Sequence, residues 1–219
     1  LFNQWAEGFV DRDNKIVKEF QTSFNSTFWE VYIHAAIKHY NLNVDFTFSS
    51  PDFYIPDAQI IIEATTANAA KDKTPEWEKK YTPEEMTKLK RFGELNREAI
   101  IRLSGAITQK DKKYNSLYSK LSHVKGKAFV LAVAPFEQPY FNLQYDRAIR
   151  AVLYSDYVNE DVYLDNPELY PEGPPNQQLD YIIKDNGAEV PLGFFCDEQY
   201  ENISAIIFNC NATWGKVVA

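Results

Sequence analysis

Asp52 and Glu63 have the spacing of two carboxylates that could share a metal ion. Each borders a short apolar run, and the turn residues Pro56–Gln59 lie between the two runs. If the runs form an antiparallel hairpin with a symmetric turn, Phe53 faces Ile62 and Asp52 faces Glu63. Like charges that face each other across a hairpin destabilise it unless a positive charge lies between them. A hard divalent cation with oxygen ligands would supply that charge.

The alternation of side chains along a strand divides this hairpin into two faces. One face contains Phe53, Ile55, Ile60 and Ile62, and the opposite face contains Asp52, Tyr54, Glu63 and Thr65. We expect the apolar face to lie in the core. The alternative is a register shift of one residue, after which the two carboxylates no longer meet and Glu63 is only the polar end of a strand.

Pro51-Asp52, a hydrophobic strand and then Glu63-Ala64-Thr65, preceded by a helix that carries Glu30, resemble the motif of the PD-(D/E)XK nuclease superfamily. The resemblance covers roughly residues 20–155 and follows the order helix, strand, turn, strand, helix, strand. It implies the restriction-endonuclease-like fold, an α/β fold in which helices flank a mixed central sheet.

The resemblance also implies roles for individual residues. Asp52 and Glu63 would bind Mg²⁺ or Mn²⁺, and Glu30 would assist as the acid on the first helix. Members of the superfamily carry a Lys two residues after the second acid, where this chain has Thr65. The predicted catalytic set is therefore Glu30, Asp52, Glu63, Thr65 and Lys110, in which Lys110 is the candidate for the missing positive charge.

Lys110 lies on a helix that the sequence predicts from Thr82 to about Leu121, with a bend near Gly93. It falls on the same stripe as Ile107 and so interrupts an apolar face directed at the sheet. A Lys on a buried face needs a partner, which the acidic pair would provide. The alternative is that the Lys110 side chain extends past its neighbours to water.

Glu30 lies on a predicted helix from Phe24 to Tyr40, at the border between its apolar and polar sides. From that position its carboxylate could reach a site at the edge of the sheet. The segment from Thr27 to Glu30 also matches a capping box, in which Glu30 would instead bond the Thr27 amide. Both interpretations remain open on the sequence alone.

The chain has 219 residues, of which 45% are hydrophobic and 15% aromatic, enough for one well-buried core. We predict a single domain over residues 1–219, with a core at about 20–155. An irregular insertion at about 156–180 and a C-terminal hairpin and strand at about 181–210 complete it. Further predicted elements are a strand at 44–48, buried strands at 127–133 and 203–208, a helix at 145–154 and a hairpin within 181–195.

The charge and the cysteines limit the class of protein to which this chain can belong. Cys196 and Cys210 have no neighbouring Cys or His at ligand spacing, which argues against a zinc site and a disulfide scaffold and predicts a reducing cytoplasm. No apolar run approaches the roughly 20 residues that span a bilayer, so no integral membrane protein is predicted.

The net charge of −8 opposes binding of nucleic acid unless positive charge is local. Candidates for local positive charge are Lys71, Lys73, Lys79 and Lys80 in a predicted polar loop at 66–81, and Lys110, Lys112 and Lys113.

The sequence thus predicts a divalent-metal-dependent phosphodiester hydrolase, a nuclease that acts on DNA or RNA. The alternative is a nuclease-fold module whose catalytic site has decayed and which serves binding or assembly in a larger protein. A hydrolase of small phosphate esters is a third interpretation, because it would tolerate the acidic balance. The chain begins at Leu1 rather than Met, so a removed leader or a larger parent protein stays open. Besides nucleic acid, the partners that stay open are a larger parent protein and a second copy of this chain in a homo-oligomer.

Overall fold

The structure of this chain, a computed structural model, describes residues 2–12, 14–69, 78, 82–84 and 91–215. The chain divides into two compact units, of which the first contains residues 1–66, 106–136 and 202–219. The second contains residues 67–105 and 137–201. The single domain expected over 1–219 stays a prediction. Among the described residues, no helix combines the length and the apolar character needed to cross a membrane.

The first unit is built on a mixed four-stranded sheet. The strands are β1 (Phe53–Ile55), β2 (Ile60–Thr66), β3 (Ala128–Ala134) and β8 (Ile203–Phe208), in the spatial order β1-β2-β3-β8. β1 runs antiparallel to β2, whereas β2, β3 and β8 are parallel to one another. Helices α1 (Phe2–Ala6), α2 (Ile16–Thr22) and α3 (Phe24–His39) precede the sheet in the chain. The predicted α/β class, a mixed sheet flanked by helices, is confirmed.

The hairpin β1–β2 has the predicted register. Phe53 pairs with Ile62 and Ile55 with Ile60, around a turn that the Gln59 amide closes by donating to the Pro56 carbonyl at 3.2 Å. The register follows from the side-chain alternation, because a shift of one residue would move the buried Phe53 to the opposite face. Glu63 lies one residue beyond the last pair, on the central strand β2.

Both faces of the central strands are covered. On one face, α3 packs on β2, and the fully buried Trp29 donates its indole N–H to the Ala132 carbonyl at 2.9 Å. On the other face, Tyr114 stacks on Phe129 of β3 with ring centroids 4.6 Å apart. Strands enclosed in this way are apolar along their whole length, as the sequence of β3 is.

Tyr114 belongs to the long helix α4 (Phe92–Ser116), the first part of which lies in the second unit. The Asp161 carboxylate accepts hydrogen bonds from the Phe92 and Gly93 amides at 2.9 and 3.1 Å. It thereby satisfies two amides that a helix start leaves without an intrahelical partner, and its negative charge favours the positive end of the helix dipole.

The other elements of the second unit follow β3 in the chain. They are α5 (Phe141–Gln144), α6 (Arg147–Tyr154), β4 (Asp156–Val158), α7 (Glu160–Asp165), β5 (Asn176–Gln178), β6 (Tyr181–Ile183) and β7 (Glu189–Pro191). β6 and β7 confirm the hairpin predicted within 181–195, and α6 confirms most of the helix predicted at 145–154.

Several predicted elements were wrong in type or extent. The strand at 44–48 is reduced to one bridge between Asp45 and Tyr54. The helix predicted from Thr82 is interrupted, because Arg91 is not helical and α4 begins at Phe92. The segment 156–180 is more regular than expected, since β4 pairs with β5. β8 was predicted to be buried, but as the outer strand it leaves Ile207 40% exposed.

Substitutions in β2 and β8 test this arrangement of the sheet. Ile61→Ala removes a side chain that is 0% exposed and should lower the free energy of unfolding by about 2–5 kcal/mol, because it leaves a cavity. Ile207→Ala, the matched change on β8, should cost clearly less. Urea denaturation followed by tryptophan fluorescence measures both, and equal losses would contradict the central position of β2.

Candidate active site

Glu63 is a buried carboxylate with hydrogen-bond donors on both oxygens. Its side chain is 2% exposed, and Oε1 accepts from Lys110 Nζ at 2.7 Å and from Lys113 Nζ at 3.0 Å. Oε2 accepts from the Tyr118 hydroxyl at 2.8 Å. Burial opposes the ionisation of Glu63, but the two ammonium groups outweigh it and hold the pKa of Glu63 below its ordinary value.

The donors come from the C-terminal part of α4 and from the turn that follows it. Lys110 and Lys113 are one helical turn apart, so both side chains project from the same side of α4. Lys110, which the sequence left open between a site partner and a solvent-directed side chain, bonds Glu63 and is only 22% exposed. Its catalytic role stays a prediction. Tyr118 is fully buried, and burial and the negative charge of Glu63 raise its pKa, which keeps its hydroxyl a donor.

Asp52 directly precedes β1, and its side chain reaches β2 at Ala64, the residue after Glu63. Asp52 was predicted to face Glu63 in a strand pair, but the pairs of β1 with β2 begin at Phe53. Asp52 Oδ2 instead accepts a hydrogen bond from the Ala64 amide at 2.7 Å. Asp52 has no such ammonium partner among the described residues. Burial and the negative charge of Glu63 therefore raise the pKa of Asp52 to about 6.

Glu30 projects from α3 into a cavity of about 250 Å³ that Asp52 also lines. Burial, followed by the charges of Asp52, Glu19 and Glu63, raises the pKa of Glu30 to about 8. The capping-box interpretation of Glu30 is wrong, because Thr27 lies inside α3 and donates its hydroxyl to the Ser23 carbonyl at 3.5 Å.

Arg12 brings positive charge to this cavity. Its guanidinium donates to the carbonyls of Phe48 and Pro51, the latter at 3.3 Å, and its charge lowers the pKa of both Glu30 and Asp52. These effects are smaller than those of burial, so both carboxyl groups keep raised pKa values. Arg12 therefore holds the backbone before Asp52 in place without neutralising the acids.

Three site residues were missed or given no role by sequence reasoning. Arg12 lies 40 positions before Asp52 in a segment without clear periodicity, and nothing in the sequence marked it. Lys113 was only part of a basic patch, although its spacing of three residues from Lys110 on a helix was a usable signal. Tyr118 lies in the polar segment 115–120, and no pattern in the sequence marked its hydroxyl as buried.

Thr65, the residue at the position of the superfamily's Lys, lies on β2 beside Val133. It points to the same face as Glu63, because side chains two residues apart on a strand share a face. Lys110 reaches that face from α4 and places its ammonium on the Glu63 carboxylate. The lysines of the predicted loop, Lys71, Lys73, Lys79 and Lys80, lie outside the described residues.

The donor set fits a hard divalent cation with few protein ligands. Asp52 and Glu63 offer oxygen atoms only, and Mg²⁺ commonly binds one or two carboxylates while keeping several waters. Burial and then the negative charge of Glu63 raise the pKa of Asp52, and a cation would offset the second of these effects. No larger cluster is available, because the described part of the chain contains no metal-suited group of three or more His, Cys, Asp or Glu residues.

Comparisons of this chain with protein-family models, curated proteins and solved structures found no match. The resemblance to the nuclease superfamily therefore depends on the residues and the order of elements in this chain.

The raised pKa of Glu30 predicts a specific pH dependence of stability. Between its ordinary value of 4.5 and about 8, folded Glu30 keeps a proton that the unfolded chain releases, so stability falls as pH rises through this range. From pH 5 to pH 9, wild type should lose about 2–4 kcal/mol more unfolding free energy than Glu30→Gln. Chemical denaturation at both pH values measures the difference.

Glu172→Gln provides the control for this pH dependence, since Glu172 is exposed. Asp52 contributes with the same sign up to about pH 6. Glu63 contributes with the opposite sign and only below its ordinary pKa of 4.5, which is why the range starts at pH 5. Identical pH profiles for wild type and Glu30→Gln would contradict a protonated Glu30.

Proposed function

We propose that this protein is a divalent-metal-dependent phosphodiester hydrolase that acts on nucleic acid. The observation that carries the proposal is that Asp52 and a Lys ammonium bond two adjacent residues in the middle of β2, Ala64 and Glu63. Lys110 Nζ lies 2.7 Å from the Glu63 carboxylate, and Asp52 bonds the amide of the next residue along the strand at 2.7 Å.

The order of elements supports the proposal. Helix α3, the hairpin β1–β2, helix α4 and the parallel strand β3 follow one another along the chain. This is the order helix, strand, turn, strand, helix, strand on which the resemblance to the PD-(D/E)XK nucleases depends. A restriction-endonuclease-like fold is part of the proposal, as is a cytoplasmic location.

Each site residue has a distinct task in the proposed reaction. Asp52 and Glu63 would hold Mg²⁺ or Mn²⁺, which when bound polarises a phosphoryl group and lowers the pKa of its water. Lys110 would place its ammonium beside the negative charge that develops on the phosphate. It would thereby take the role of the superfamily's Lys, at whose position this chain has Thr65. Glu30, whose pKa is raised to about 8, would hold a proton on its carboxyl near neutral pH.

A non-catalytic module for binding or assembly is the second candidate function. It is favoured by one observation: both oxygens of Glu63 already accept hydrogen bonds, as in a structural buried ion pair. Thr65 favours it too. The two candidates differ in whether Glu63 can exchange one of its donors for a metal ion.

Cleavage of labelled DNA and RNA separates these candidates. With Mg²⁺ or Mn²⁺ the wild type should cleave at least one of the two, and a chelator should stop the reaction. Asp52→Asn and Glu63→Gln should each lower kcat by about 100-fold or more, the scale on which loss of electrostatic stabilisation acts. Asp57→Asn, an exposed Asp in the hairpin turn, is the matched control and should retain activity. Metal-independent cleavage, or full activity of Asp52→Asn, would contradict the proposal.

Thermal unfolding gives a prediction that requires no substrate. A cation that binds only the folded protein at 100 times its Kd should stabilise it by about 2.7 kcal/mol and raise the Tm. Mn²⁺ should therefore raise the Tm of wild type and of Asp57→Asn, whereas Asp52→Asn should lose the shift. An unchanged Tm at saturating Mn²⁺ would argue for the non-catalytic module.

A further inference from the structure

The Glu63 carboxylate accepts more hydrogen bonds at Oε1 than an oxygen bound to a metal ion could accept. Oε1 accepts from both Lys110 and Lys113, and Oε2 accepts from Tyr118. An oxygen bound to Mg²⁺ at about 2.0–2.1 Å has little room for two ammonium groups, and a dication repels both. If Glu63 binds the metal proposed above through Oε1, one of the two ammonium groups on that oxygen must leave.

Lys113 is the donor that can leave most easily. Its contact with Glu63 is the longest of the three at 3.0 Å, and its side chain is 43% exposed, compared with 22% for Lys110. Tyr118 is fully buried and has no route to water. A Lys ammonium on a flexible four-carbon stem can move into solvent without a change in the backbone.

After release from Glu63, the Lys113 ammonium group can stay close to the site. Its ammonium lies 4.8 Å from the centroid of the Tyr118 ring, so the face of that ring can continue to hold the positive charge by a cation–π contact. Lys113 also remains anchored on α4, one turn from Lys110. A mobile ammonium at that point suits the negatively charged oxygens of a phosphodiester.

We infer that Lys113 is an exchangeable counter-ion of Glu63, which releases the carboxylate to an incoming divalent cation and then contacts the substrate phosphate. The inference rests on the proposed function. In the absence of the cation, Lys113 helps to balance a buried charge that would otherwise destabilise the sheet. Lys113 therefore contacts Glu63 before the cation binds and the substrate phosphate after it has bound.

Titration of Mn²⁺ by calorimetry tests the exchange. Lys113→Met, which keeps the length of the side chain but removes the competing charge, should bind Mn²⁺ about 5-fold tighter or more than Lys112→Met, within the usual range of coupling between sites. Lys112 is exposed on the same helix, so its variant makes the same change in net charge. Lys113→Gln serves as a second variant if Lys113→Met folds poorly, and should also bind more tightly than Lys112→Met.

Kinetics test the second position of Lys113. Lys113→Met should raise KM for nucleic acid about 5-fold or more relative to Lys112→Met, because it loses a phosphate contact while it gains affinity for Mn²⁺. A structural role alone would weaken both kinds of binding. Equal Mn²⁺ affinities of the Lys113 and Lys112 variants, or an unchanged KM, would overturn the inference and leave the proposed function standing. Absence of Mn²⁺ binding in wild type and every variant would overturn both.

Discussion

The burial of the Glu63 charge is the constraint on which the first unit depends. A carboxylate that is 2% exposed on the central strand of a sheet is costly unless it is paired and hydrogen-bonded. Lys110, Lys113 and Tyr118 meet this requirement together. Since these donors come from α4 and the turn after it, the position of α4 on the sheet is coupled to a single acidic side chain.

The three acids of the site differ in how far their charge is balanced. Glu63 has two ammonium groups and a lowered pKa, whereas burial and neighbouring acids raise the pKa values of Asp52 and Glu30 to about 6 and about 8. Arg12 lowers the pKa values of Asp52 and Glu30, but by less than burial raises them. The two acids with raised pKa values therefore line the cavity, whereas the ammonium groups of Lys110 and Lys113 lie on the side of α4. A cation beside Asp52 and an anionic phosphate beside the lysines would suit this distribution.

The net charge of −8 belongs to the whole chain, whereas the surroundings of Glu63 contain local positive charge. Lys110 and Lys113 place two ammonium groups on one carboxylate, which is an excess over simple neutralisation. The second ammonium group helps to stabilise the buried carboxylate. In the proposed function it would also be available to a phosphodiester, which is the physical basis of the proposed exchange of Lys113 for a metal ion.

Local rules in the sequence determined the hairpin register, the helix α3 and the strand β3. Alternation, turn symmetry and apolar periodicity act over a few residues, so they placed Phe53 opposite Ile62 without knowledge of the rest of the chain. The tertiary structure alone decided the start of α4, the exposure of β8 and the contacts of the site. Asp161 caps α4 from almost 70 positions away, and Arg12 reaches the backbone before Asp52 across about 40. Such contacts depend on how the elements pack, and sequence spacing does not encode a distance between side chains that only folding brings together.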